Sequence, residues 1–189
     1  MSDQTPVDRL YEESSSVIQA LGSTEPSLFV SAGDIFRKAL VLAVASYFEY
    51  RVTTCVLEFV RERANGSSLI VGLVTNKAIS RQYHTWFNWD GTNANQFFSL
   101  FGSEFRQMMG DRVNASDELR ASIRAFLEVG SERNKLIHQD FASFSLEKTL
   151  DEIYDLYRLS LLFVNGLSTH LAECEPLPEK AGLFQVAAV

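Results

Sequence analysis

Cysteine, histidine and proline are all scarce in this chain of 189 residues, and each scarcity excludes something. Two cysteines, Cys55 and Cys174, are too few for a disulfide framework, so reduced thiols in a cytoplasmic protein are the expectation. The histidines, His84, His138 and His170, lie far apart in sequence, and no Cys-x-x-Cys is present, so no metal is expected. No Gly-rich phosphate loop follows a strand pattern, and no cofactor is expected. Prolines occur only at positions 6, 26, 176 and 178. The long proline-free stretch between them suits long helices, because proline removes a helix hydrogen bond and clashes with the preceding turn. The longest apolar run, Ala39 to Phe48 with Ser46 inside it, is too short to span a bilayer. The first residues show no basic start followed by an apolar run, so neither a signal peptide nor a membrane partner is expected. Basic residues are outnumbered, 17 against 24, for a net charge of −7. That balance argues against a protein that coats nucleic acid with a broad basic surface, but not against an enzyme with a small basic cleft.

What is present reads as helix. The length favours one domain, drawn here over residues 1–175 with a tail at 176–189. No alternating run bounded by hairpin turns occurs, so the fold class is all-α: a bundle with a long central helix and extra short helices. The first helix is expected from Pro6 to Leu21 with a stop at Gly22. The second is expected to start near Ser31, where Ser31–Asp34 resembles a capping box, and to stop at Asn65-Gly66. Its buried stripe is read as Ile35, Leu42, Phe48, Val52, Leu57 and Val60. A third helix covers Ser68 to about Trp86, and a loop with Trp86 and Trp89 as packing anchors follows. Short helices near Gln96–Phe101 and Glu104–Met109 come next, then a helix capped by Asn114 that runs toward Val129 and on through Arg133. The last long helix begins near Ser145 and ends before Pro176. The acids Asp151 and Glu152 near its start complement the helix dipole.

One segment carries chemistry: Gly130-Ser-Glu-Arg133-Asn134-Lys135-Leu-Ile-His138-Gln-Asp140. An Arg followed five positions later by a His is a common coincidence, but Arg-Asn-x-Leu-Ile-His in an all-helical chain, ahead of a long amphipathic helix, is much rarer. Histidine can act as acid or base at neutral pH. Arginine stays protonated and presents a planar fork to phosphate oxygens. For a phosphodiester that carries its own neighbouring hydroxyl as nucleophile, these two side chains suffice for cleavage without metal. On a straight helix, residues five apart differ by about 140° and rise by about 7.5 Å. Arg133 and His138 therefore do not share a face, and the backbone bends near Gly130 or beyond Ile137, or the two flank a groove. Arg124, Lys135 and His138 do lie near a common face, a candidate basic cleft.

This motif, with Ala43-Ser-Tyr-Phe-Glu49 and Trp86-Phe-Asn-Trp89 before it, resembles the HEPN ribonucleases, and within them the RiboL-PSP-HEPN group. The resemblance implies a metal-independent endoribonuclease, a toxin or defence effector, that leaves a 2′,3′-cyclic phosphate and a 5′-hydroxyl. It implies catalysis by Arg133 and His138, support from Asn134 and Glu49, and RNA contacts from Lys135 and Arg124. It also implies a homodimer whose two motifs line one cleft, and an antitoxin or defence-system partner. One departure is Asp140, where a group of HEPN toxins carries Tyr two positions after the motif His; this puts regulation by tyrosine modification in doubt. Asp140 either orients His138 or repels phosphate nearby. Plainer readings stand beside these: Arg133 paired with Glu132 or Asp140, His138 a buried helix-end histidine, Asn134 a local cap, Glu49 a surface partner of Arg51. For the whole chain, the rival is a non-catalytic HEPN dimer serving as an RNA-binding or protein-interaction module, and more remotely a helical bundle unrelated to HEPN.

Overall fold

A computed structural model describes residues 4–174. Eight α-helices and one π-helical stretch make up the regular structure among the described residues, in the order α1 (Pro6–Thr24), α2 (Pro26–Arg63), α3 (Ser68–Val74), π-helical Thr75–Ile79, α4 (Tyr83–Trp86), α5 (Asn95–Ser99), α6 (Ser103–Ala115), α7 (Asp117–His138) and α8 (Leu150–Cys174). The fold is all-α, with no strand among the described residues.

The helix starts follow side-chain capping. Thr5 opens α1 by accepting from the Asp8 N–H while the Asp8 carboxylate takes the Thr5 N–H at 2.8 Å, a reciprocal box. Ser116, rather than Asn114, caps α7. Thr149 and Glu152 form the corresponding box on α8, so that helix starts at Leu150 and not near Ser145; Glu152 acts through this capping as well as through its charge. Two further expectations are corrected. α1 runs past Gly22 to Thr24, and Gly22 instead makes room for the Phe29 ring, which a Cβ would approach to 3.3 Å. α2 begins at Pro26, whose fixed φ suits a first turn, and Ser31 turns its hydroxyl back to the Ser27 carbonyl instead of capping. α2 does stop where expected, with Asn65 at φ 47° and Gly66 at φ 81°.

α2, α7 and α8 pack into the central layer, with α1 along α2. The buried face of α2 is Leu40, Val41, Val44, Phe48, Val52 and Val56. The period is helical as expected, but of the expected stripe only Phe48 and Val52 are buried: Leu42, Leu57 and Val60 are half-buried and Ile35 is 57% exposed. Phe48, Phe126, Tyr157 and Phe163 meet at the centre with ring centroids 5.2–5.7 Å apart. A buried hydrogen bond from the Phe163 N–H to the Ser122 hydroxyl, 2.9 Å, fixes α7 against α8.

The expected single helix over Ser68–Trp86 is broken. The Ser80 N–H closes the π-helical stretch on the Thr75 carbonyl at 2.8 Å, Ser80 is extended, and Arg81 enters the left-handed region at φ 61°. Tertiary packing drives the reversal. It turns Trp86 into the core, where its Nε1 donates to the Ala78 carbonyl at 3.0 Å, and stacks Phe87 on Phe97 at 4.8 Å. Among the described residues no helix is long and apolar enough to cross a membrane. The expected proline stop at 176 and 178 and the tail at 176–189 lie outside the described residues.

Candidate active site

The motif occupies the last two turns of α7, which continues unbroken through Gly130 to His138. Gly130 is there for contact, not for a bend. The Trp89 ring lies so close that a Cβ on Gly130 would come within 2.0 Å of Trp89 Cε3. The Trp89 indole N–H donates to the His84 carbonyl at 3.0 Å, so the ring is held from both sides. Phe126 stands beside it, with ring centroids 5.8 Å apart. Trp86 and Trp89 thus both anchor the loop, and Trp89 also walls a pocket.

That pocket joins three regions of the chain. α2 supplies Ala45, Phe48 and Glu49; the 81–89 segment supplies Arg81, Tyr83, His84 and Trp89; α7 supplies Phe126, Val129, Gly130, Arg133 and Asn134. Arg133 is half-buried and donates to the Asn134 side-chain oxygen at 3.1 Å, so it pairs with neither Glu132 nor Asp140. Asn134 serves that contact and not as a cap. Glu49 faces the same pocket, while Arg51 turns away to the Tyr47 hydroxyl and to Asn165. Burial pushes the Tyr83 phenol well above its ordinary value; the Glu49 carboxylate adds to this and the Arg133 charge works against it, which places both charges in the phenol's electrostatic reach.

The remaining candidates lie elsewhere. His138 is the last residue of α7 and exposed, so it is not a buried structural histidine, and it does not line the pocket that holds Arg133. Lys135 is exposed and pairs with Glu132 at 2.8 Å, in a groove that also presents Glu147 and Glu152. Arg124 is exposed in another groove, with Asp117 and Glu128. The structure therefore brings Arg133, Asn134 and Glu49 together, and leaves His138, Lys135 and Arg124 outside that grouping.

A residue that sequence reading passed over holds the end of the motif. Lys38, on α2, is the sole buried charged side chain among the described residues. Its ammonium reaches Asp34 at 2.7 Å and donates to the Phe141 carbonyl at 2.9 Å, with the Phe141 ring centroid 5.3 Å away. Phe141 follows His138 by three residues, so Lys38 ties down the turn that ends the motif helix. Asp140 belongs to that turn. Its carboxylate accepts from the Ser143 hydroxyl at 2.8 Å and the Ala142 N–H at 3.2 Å, and these bonds, with the Lys38 charge, hold it below the usual carboxylate range. Its hydrogen bonds thus go to the turn rather than to His138. A lysine on an otherwise apolar helix face, four residues after an aspartate, was the available signal for this contact.

With this geometry in place, the family can be assigned. A model of the RiboL-PSP-HEPN family matches residues 9–173. The chain belongs to that family. The match spans α1 to α8 and includes the whole motif. No curated protein and no solved structure matches the chain. Membership of the HEPN family supports a nuclease-type function of the ribonuclease or toxin kind, with RNA as the class of substrate. Among the described residues no group of three or more His, Cys, Asp or Glu is placed to hold a metal ion.

Proposed function

We propose that this HEPN protein is a metal-independent endoribonuclease that cleaves single-stranded RNA in a cleft shared by two protomers, acting in the cytoplasm as a toxin or defence effector under the control of an antitoxin or other partner. The reading treats residues 1–175 as one HEPN domain. The observation that carries it is the division of the motif. Arg133 is oriented by its own chain in a pocket with Asn134 and Glu49, whereas His138 stands exposed at the helix end beside Ile137 and Phe141, which are 50% and 44% exposed. A second copy packed on that end would cover the exposed apolar side chains and set its own motif against this one.

In such a cleft His138 takes the proton from the 2′-hydroxyl or returns one to the departing 5′-oxygen. Arg133 meets the charge that grows on the non-bridging phosphate oxygens. Attack by the 2′-oxygen breaks the bond from phosphorus to the 5′-oxygen and leaves a 2′,3′-cyclic phosphate and a 5′-hydroxyl. Asn134 holds the Arg133 fork in place, and Glu49 supports the pocket. Lys135 and Arg124 meet the RNA backbone further out along α7. The test is incubation of the purified protein with single-stranded RNA in EDTA, beside His138→Ala and a 2′-O-methyl substrate. Cleavage lost in the variant and on the modified RNA is expected. Identical RNA profiles for wild type and variant would replace the enzyme with a non-catalytic RNA-binding or interaction module, and a requirement for magnesium would reject the metal-independent chemistry.

A further inference from the structure

We propose that the pocket beside Arg133 is a guanine-binding subsite, in which Glu49 reads the base and Trp89 forms a fixed wall. This rests on the RNA reading of the site for the identity of the strand, and on the pocket's own chemistry for the identity of the base.

The walls are aromatic. Trp89 packs against Tyr83 and Phe126 at centroid distances of 5.5 and 5.8 Å, and Phe48 lies 5.6 Å from Phe126. Phe48 and Phe126 are each 1% exposed and close the floor, so the surface left for a flat heterocycle is the half-buried Trp89, which takes a base of any sequence by stacking and apolar contact. Trp89 is fixed in place: its polar edge is used on the His84 carbonyl and its six-membered ring is seated on Gly130. What it offers a ligand is a surface already in position, which lowers the ordering cost of binding.

Selection comes from Glu49. It is half-buried in this aromatic setting, yet it takes part in none of the ion pairs among the described residues, and Arg133 donates to Asn134 rather than to Glu49. An ionised carboxylate is acceptor-only and binds best to two parallel N–H groups. Among the four RNA bases, guanine alone presents two adjacent donors on its pairing edge, N1–H and the N2 amino group. Adenine and cytosine set one amino donor beside a ring acceptor, and uracil places its single N–H between two carbonyls. A carboxylate facing those acceptors is repelled, so a pocket with an unpaired carboxylate favours guanine over the rest.

The rim supplies charge for the strand. Arg81 reaches the pocket from a backbone in the left-handed region, φ 61°, one of two non-glycine residues there among the described ones. With Arg133 it gives the pocket two guanidinium groups from different elements, suited to the phosphates on either side of a seated nucleoside.

The test uses the full chain carrying His138→Ala, so that binding is read without cleavage. Four single-stranded tetraribonucleotides, all-uridine or with one guanosine, adenosine or cytidine, are titrated by fluorescence anisotropy alongside guanosine monophosphate. Guanosine-containing RNA is expected to bind at least tenfold tighter than the other three, and Glu49→Gln to remove that preference. Tighter binding of the oligonucleotide than of the mononucleotide seats the base within a strand, and equal binding assigns it to a free nucleotide; the guanine pocket stands in both cases. Equal binding of all four RNAs, no binding, preference for another base, or a guanine preference that survives Glu49→Gln overturns the proposal. The comparison of the four RNAs needs no pocket variant, so misfolding of Glu49→Gln cannot mask the result. Cleavage mapping with the wild-type chain separates the two readings. His138-dependent cleavage without base preference rejects the subsite and keeps the nuclease. Guanine binding without cleavage does the reverse.

Discussion

Arg133 is half-buried in a pocket that its own chain completes, whereas His138, five residues on, stands exposed on the last turn of the same helix. The two ends of one motif thus have opposite surroundings. The Arg end is fixed by Asn134 and by the aromatic wall that Gly130 admits; the His end is fixed only through its backbone, by the turn that Lys38 holds. The contrast indicates what each end lacks. On the proposed reading, the Arg end is positioned to meet substrate within one chain, while the His end takes its wall from a second protomer.

The sharpest way to break this contrast is to remove each side chain. His138→Ala is expected to lower cleavage by about 10²–10⁴ through lost proton transfer. Arg133→Ala is expected to lower it by roughly 10²–10³ through lost charge stabilisation. Their stabilities should part company. Removing the exposed His138 side chain should change the unfolding free energy in urea by less than about 0.5 kcal/mol, and Arg133→Ala should cost more because its stem lines a packed pocket. Mixing the two inactive variants should restore part of the activity, since a shared cleft can take Arg133 from one protomer and His138 from the other. No recovery after subunit exchange would place both groups on a single chain.

The next effect is on the wall. Gly130→Ala would ordinarily stabilise a helix by up to about 1 kcal/mol. Here the new methyl would collide with Trp89, and overpacking of this kind costs about 1–3 kcal/mol, so net destabilisation is expected in urea melts. A stabilised variant with unchanged tryptophan fluorescence would show that Trp89 is not fixed in place.

Lys38 tests the other end. Lys38→Met removes the charged donor to the part-buried Phe141 carbonyl, and a hydrogen bond from a charged group contributes about 1.5–3 kcal/mol. Asp34, with its side chain 35% exposed, can return to water, so the lower part of that range is expected in thermal or urea unfolding. Cleavage should fall further than stability does, because the turn after His138 loosens first. Equal losses would make Lys38 a plain core residue.

How far the sequence alone carries can be judged from the same residues. Helical periodicity located α1, α2, α7 and α8, because each buries a stripe along its length and the pattern is local. The motif on α7 was legible for the same reason, and with it Arg133, Asn134 and His138. The break at Ser80-Arg81 was not legible. Nothing in Ser-Arg-Gln signals a turn, and the left-handed Arg81 is imposed by the packing of Trp86 and Phe87, contacts that only the folded chain makes. The pocket was therefore missed, since Arg81, Tyr83 and His84 reach Glu49 and Arg133 through that break. Charge was less legible than phase: Arg124 and Lys135 each have an acidic neighbour in the structure, Glu128 beside one and Glu132 beside the other.

The smallest expected effect concerns a second histidine, and it decides how the first can be studied. His170, on α8, accepts a contact from the Arg112 guanidinium at 2.5 Å through Nδ1, and Arg112 also pairs with Glu173. Burial first, and the Arg112 charge second, hold the His170 pKa below its ordinary value, against a smaller pull from Glu173. Because the native state binds this proton less readily than the unfolded chain does, the unfolded state carries more protons once the pH falls below about 6.5. Stability should therefore drop as the pH falls from there toward the lowered native pKa, and this contribution should level off below that value. His170→Asn keeps an acceptor for Arg112 and has no proton to gain, so its urea midpoint should fall less than that of the wild type between neutral and mildly acidic pH. Parallel curves for the two proteins would remove His170 as a source of acid sensitivity. A flatter curve for the variant would supply the background for a pH–rate profile, in which loss of cleavage on the acid side reports the chemistry at His138 and not unfolding at the Arg112–His170 contact between α6 and α8.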